Sequence, residues 1–137
     1  MTVISDYLAN QIIGVARNTA FSGISNVYLA LFNGDPGSAT SLAAGVSEIT
    51  TTIRSAGRVE ITFSAPSTGS TSNTNAVNFG VSEGSTTVKG WGVYDASSGG
   101  NLLFYGPLLP NLSVTTNETV KVPAGVFQLD LSGNAAT

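Results

Sequence analysis

Lys89–Leu108 reads KGWGVYDASSGGNLLFYGPL. Two short apolar, aromatic runs, Lys89–Tyr94 and Leu102–Tyr105, flank Asp95-Ala-Ser-Ser-Gly-Gly-Asn101. That heptad is rich in turn formers, and such residues between apolar runs predict a β-hairpin. The stretch holds the chain's one Trp and no obvious catalytic group.

The β pattern continues outward in both directions. Val27–Phe32, VYLALF, is an unbroken apolar run of strand length, as expected for a strand covered on both faces. It ends at Asn33-Gly-Asp-Pro-Gly37, a dense turn cluster. Val59, Ile61 and Phe63 alternate with Glu60 and Thr62, a half-buried strand. Val77 and Phe79 start another. Leu112/Val114 and Val120/Val122 flank a turn at Thr116-Asn117-Glu118, and Phe127, Leu129 and Leu131 form a last alternating strand. Pro66–Thr74 reads as a polar loop. Residues 38–57 read as a loop or excursion anchored by Ile49 and Ile53.

One helix is predicted, over residues 5–17. Ser5 suits the N-cap and Asp6 the first turn. Leu8, Ile12 and Val15 recur at helical spacing and make one apolar stripe, while Gly14 weakens the helix by about 1 kcal/mol relative to Ala. Short strands at turn-signalled intervals, without a βαβ rhythm, predict an all-β, antiparallel β-sandwich or jelly-roll-like fold. The expected organisation is a single domain over 1–137, with the helix at 5–17 and the sandwich at 27–131. The expected core includes Phe63, Val77, Phe79, Trp91, Val93, Phe127 and Leu129.

Composition excludes several kinds of chemistry. The 137 residues carry no Cys and no His. Disulfides, thiolate metal sites, a Cys nucleophile and a Ser-His-Asp triad are therefore unavailable. Charged residues are 9% of the chain against about 25% in typical domains, and Ser, Thr, Asn and Gly fill the gap. A surface covered by neutral groups resists association weakly, which fits a protein that works assembled. Its five basic residues are scattered and the net charge is −3, so no cationic face for nucleic acid is expected. The charge-free runs Ile61–Ser82 and Ala96–Asn117 are too polar to span a bilayer, and no signal peptide is read at the start. No membrane partner and no cofactor are expected.

The remaining motifs are structural in this reading. No two of the eight acidic residues sit in a hydrolase-like motif. Asp95–Asn101 lacks the late acidic ligand of a calcium loop, so Asp95 is expected to bond its own turn. Gly90-Trp-Gly92 precedes no helix, and close strand packing or a bulge explains its glycines better than a phosphate site does. Trp91, Tyr94 and Tyr105 could stack sugars only if their rings were exposed. The candidate partner interface is Leu8, Ile12, Val15, Ile49, Ile53, Tyr94 and Tyr105.

Several pieces, in order, resemble a family of small structural proteins of tailed bacteriophages. Its members are labelled tail-fibre, decoration or virion structural proteins. The matching pieces begin with the helix ending in Arg17-Asn-Thr-Ala-Phe21, then Val27–Phe32 with Asp35-Pro36, and Arg58-Val-Glu-Ile-Thr-Phe63. Next come Ser72-Asn73-Thr74 with Ala76–Phe79, Gly90–Asp95, Gly99–Gly106, Ala124-Gly125 and Leu129–Leu131. Where the family has a Gly-Tyr-Ala-Arg type sequence, this chain has Ser55-Ala-Gly-Arg58, without the aromatic. The resemblance implies a non-enzymatic virion protein made in the host cytoplasm. Capsid decoration (cement) stands first, with the major capsid protein as partner and a homo-oligomer, such as a trimer, as the working state. A tail, neck or baseplate component bound to other virion proteins stands second, and a carbohydrate- or receptor-binding module third.

Overall fold

A computed structural model describes residues 3–20, 23–35, 45–53 and 57–131. The fold is an all-β antiparallel sandwich with an N-terminal helix. In chain order the elements are β1 (Val3–Ile4), α1 (Asp6–Ala16), β2 (Val27–Phe32), β3 (Val59–Ile61) and β4 (Ser70–Ser72). They continue with β5 (Val77–Val81), β6 (Thr86–Tyr94), β7 (Leu102–Val114), β8 (Thr119–Val122) and β9 (Gln128–Asp130). One layer is a five-stranded sheet in the order β1-β7-β6-β2-β3, and β4-β9 and β5-β8 form separate two-stranded sheets.

The hairpin that opened the sequence reading is the spine of the large sheet. Trp91 pairs with Gly106 and Val93 with Phe104 across β6 and β7, and Leu31 and Leu29 of β2 pair with Trp91 and Val93. Alternation puts these side chains on one face. That face meets Val77, Phe79, Val120 and Leu129 of the smaller sheets in a single core, with Phe63 and Phe127 packed at its margin. The Trp91 and Phe127 rings meet edge to face, with centroids 4.9 Å apart. Fully burying apolar side chains of this size contributes about 1.5–3 kcal/mol each. On the opposite face Ala30, Phe32, Leu103 and Tyr105 are also buried. The unbroken apolar run of β2 is thus explained by cover on both sides.

Gly92 shows why a small residue is needed there. A Cβ at this position would lie 2.7 Å from the Phe32 ring and 2.9 Å from Leu102. The pairing also slips between Val88 and Gly90, so both parts of the structural expectation for the Gly90-Trp-Gly92 strip hold.

The structure departs from the sequence reading in three places. Pro66–Thr74 is not all loop. Ser70–Ser72 pairs with β9, and the chain reverses at Thr68-Gly69 with both residues at positive φ. A strand of Ser and Thr has no apolar alternation to betray it. Leu102–Tyr105 and Leu112/Val114 belong to one long strand, β7, not two. A large bulge absorbs the prolines at 107 and 110: Leu108–Asn111 lie opposite Lys89 alone. Beyond Tyr105 the outer edge of β7 has no paired strand among the described residues, and a sheet edge tolerates proline. Val3–Ile4, to which the sequence reading assigned no element, adds a short strand at that edge.

The expected excursion at 38–57 is described only in part. Residues 38–44 and 54–56, and residues 36–37 of the preceding turn, lie outside the described residues. Of the rest, Glu48 pairs with Phe32 and the Ile49 N–H donates to the Leu31 carbonyl at 2.8 Å. Helix α1 begins and ends as its sequence dictates. The Ser5 hydroxyl accepts from the Leu8 N–H at 3.2 Å, and Arg17 is the C-cap.

Candidate functional site

Two parts of the surface bear on function: the tip of the β6–β7 hairpin and the outer side of α1.

At the hairpin tip, Asp95 closes its own turn. Its two carboxylate oxygens accept from the Asn101 backbone N–H (2.6 Å) and side-chain amide (2.9 Å). The turn is then fastened to the body by Arg58, just before β3. The guanidinium donates Nε to Glu48 Oε2 at 3.0 Å and Nη2 to Oε1 at 2.9 Å, a two-pronged grip. Nη1 reaches the carbonyls of Ala96 and Gly99, both at 2.8 Å. The cation lies 3.5 Å from the Tyr94 ring centroid. The Arg58 side chain is 7% exposed and that of Glu48 17%. One buried cation thus ties together the 45–49 segment, the edge of the sheet and the hairpin tip. Thr50, Gly57, Ser97 and Ser98 border a polar hollow of about 300 Å3 beside it.

The Tyr94 phenol titrates above its ordinary value. Burial is the main cause, the Arg58 cation opposes it and Glu48 adds to it. Tyr105 is raised too, first by burial, then by Asp6 and Asp35.

A second polar hub holds the small sheets together. Asn73, 2% exposed, donates Nδ2 to the carbonyls of Asn75 (2.7 Å) and Pro123 (3.1 Å) and accepts at Oδ1 from the Phe127 N–H (2.9 Å). Asn75 in turn caps the edge of β3, accepting from the Thr62 N–H and donating to the Glu60 carbonyl.

The predicted interface residues separate into two groups. Leu8, Ile53 and Tyr105 are buried in the chain's own interior, and Ile49 is packed against the core. Tyr94 is half-buried beneath Arg58. Ile12 and Val15, at 44% and 57% exposure, face outward with Ile13. Between the first turn of α1 and the sheet is a groove of about 520 Å3 lined by Leu8, Val27, Ile61, Phe63, Leu103 and Phe104. Trp91 and Tyr105 are both interior, so the three rings weighed for sugar stacking form no platform.

Sequence reasoning missed Arg58, Glu48 and Asn73 as organising residues. A weak signal existed for Arg58, one of only five cations in a charge-poor chain. Among the described residues no cluster of three or more His, Cys, Asp or Glu could hold a metal, and no helix is long and apolar enough to cross a membrane.

A family model described as Podophage GP4 fiber I protein gp80 matches residues 3–130. The chain belongs to this family. The match spans every element from β1 to β9, and so includes both the Arg58 fastening and the Asn73 hub. Membership places the chain among structural proteins of the phage virion, in agreement with the resemblance read from its motifs. Among curated proteins none matches.

Proposed function

We propose that the chain is a non-enzymatic structural component of a phage fibre, working as a homo-oligomer in contact with other virion proteins. The carrying observation is the family match over residues 3–130, whose description names a fibre protein. The geometry supports it. Polar side chains serve as fasteners within the chain: Arg58 with Glu48, Asp95 with Asn101 at the hairpin tip, and Asn73 with three backbone groups. A part of this kind acts by mass action, stabilising whichever assembled state it binds.

Decoration of the capsid shell was the first expectation from the sequence. The same charge-poor surface serves that role, but the family description favours the fibre. Gold-labelled antibody against the chain, imaged on intact particles, separates the two. Label confined to the fibres supports the proposal, and label spread over the head overturns it.

A further inference from the structure

Asn33 is followed by Gly34, and none of the other ten Asn residues precedes a glycine. Asn–Gly is the pair most open to spontaneous deamidation, because no side chain on the second residue hinders its amide nitrogen. Asn33 directly follows β2 and is exposed to water. The Gly34 N–H makes no hydrogen bond among the described residues, so the nitrogen that would attack is uncommitted.

Ser47 holds the group that would be attacked. Its N–H donates to Asn33 Oδ1 at 2.9 Å, and Asn33 Nδ2 donates to its hydroxyl at 3.2 Å. Its carbonyl also accepts from the Asn33 N–H at 3.2 Å. Both ends of the side-chain amide are thus committed to the neighbouring segment rather than to Asn33's own backbone. Gly34 is restrained as well: it packs so closely on Val46 that a Cβ there would lie 2.8 Å from Val46 Cγ2. We propose that Asn33–Gly34 is a latent self-modification site, which Ser47 guards and which makes an opening of residues 45–49 permanent.

When 45–49 lifts away, the Asn33 side chain is free to turn back on its own main chain. The Gly34 amide nitrogen gives up its proton and attacks Asn33 Cγ. A C–N bond forms, the Cγ–Nδ2 bond breaks, and the departing NH2 takes a proton to leave as ammonia. The cyclic imide takes up one water at either carbonyl, giving aspartate or isoaspartate at position 33. Aspartate still accepts from the Ser47 N–H, and the Ser47 hydroxyl turns to donate, so that product can close again. Isoaspartate routes the main chain through Cβ and Cγ. The added carbon enters a turn already tight against Val46, and the clasp does not reform. Glu48, next to Ser47, then loses its fixed position against Arg58, and the hairpin tip is left loosened. The chemistry is the same at any place in the virion and does not rest on the fibre reading.

Purified chain held at mildly alkaline pH and sampled by protease digestion and tandem mass spectrometry tests this. The expected result is slow exchange of NH for O confined to residue 33, with both products present. Ser47→Ala removes one of the two side-chain bonds and should speed conversion about fivefold, while unfolding in urea removes both and should speed it roughly thirtyfold. Arg58→Lys should speed it too, although Arg58 does not touch Asn33, because it releases Glu48. The urea comparison uses the unaltered chain, so it keeps the test decisive if a variant misfolds. Aged chain should exchange its amides at 95–101 faster than fresh chain. No conversion at 33, conversion spread evenly over the other Asn residues, equal rates in the folded and unfolded chain, slower conversion in Ser47→Ala, or unchanged exchange at 95–101 after conversion overturns the proposal.

Discussion

Replacing Asn73 by Ala tests the internal logic of the smaller sheets. The amide orientation is fixed, because Nδ2 faces two carbonyls and Oδ1 faces an N–H. Truncation removes three hydrogen bonds at a site 2% exposed. At about 1 kcal/mol each, the expected loss is about 3 kcal/mol, and strain or entering water shifts it by about 1 either way. Asn73→Asp should be worse at pH 7. Its carboxylate would keep the bond from Phe127 but face the carbonyls of Asn75 and Pro123. That raises its folded pKa above the ordinary value of about 4. Its stability is then retained below that value and lost as pH rises through the folded pKa, so acidification should narrow the gap to wild type. Urea unfolding followed by Trp91 fluorescence measures both variants. Trp91 is the only tryptophan, and its ring contacts Phe127, whose N–H Asn73 holds. A loss below about 0.5 kcal/mol for Asn73→Ala would refute the reasoning, since a surface substitution costs no more.

Three further outcomes are expected. Arg58→Lys should cost about 2–4 kcal/mol, because an ammonium cannot replace the two-pronged grip on Glu48 and the two carbonyl bonds together; amide exchange at 95–101 should accelerate as the tip loosens. Thr68→Asn should stabilise by about 1 kcal/mol, read from the thermal midpoint: Thr68 holds φ 52° in the two-residue turn before Ser70, where Asn is favoured and a β-branched residue is strained. Alkali should destabilise the fold. The Tyr94 and Tyr105 pKa values are raised on folding, so their contribution is intact below about pH 10 and falls away above it. Unfolding midpoints from pH 8 to 11.5 should show that slope, and the Tyr94→Phe, Tyr105→Phe double variant should flatten it.

Where burial follows a simple period, the chain was readable. VYLALF needed cover on both faces, the 89–108 hairpin declared its strands and turn, and Ser5 with the Leu8 stripe marked the helix. Reading failed where long-range pairing decides. Ser70–Ser72 is a strand only because β9 lies beside it. Leu102–Tyr105 and Leu112/Val114 read as separate strands, because the sequence does not show that β7 runs along an edge where a bulge can absorb the prolines at 107 and 110. Arg58 reaches Glu48 ten residues back and carbonyls about forty residues ahead, a convergence no local motif encodes. Of the candidate interface, helical periodicity identified the stripe but not its division. It could not tell that Leu8 turns inward while Ile12 and Val15 overhang.

The most direct test of the account is the copy number of this protein in purified particles, measured against the major capsid protein by quantitative mass spectrometry. A fibre component is set by the low symmetry of the tail, so the account predicts a ratio of roughly a few per cent. A ratio near one would contradict the fibre reading and return the protein to the shell, and absence from the particle would contradict a virion role altogether.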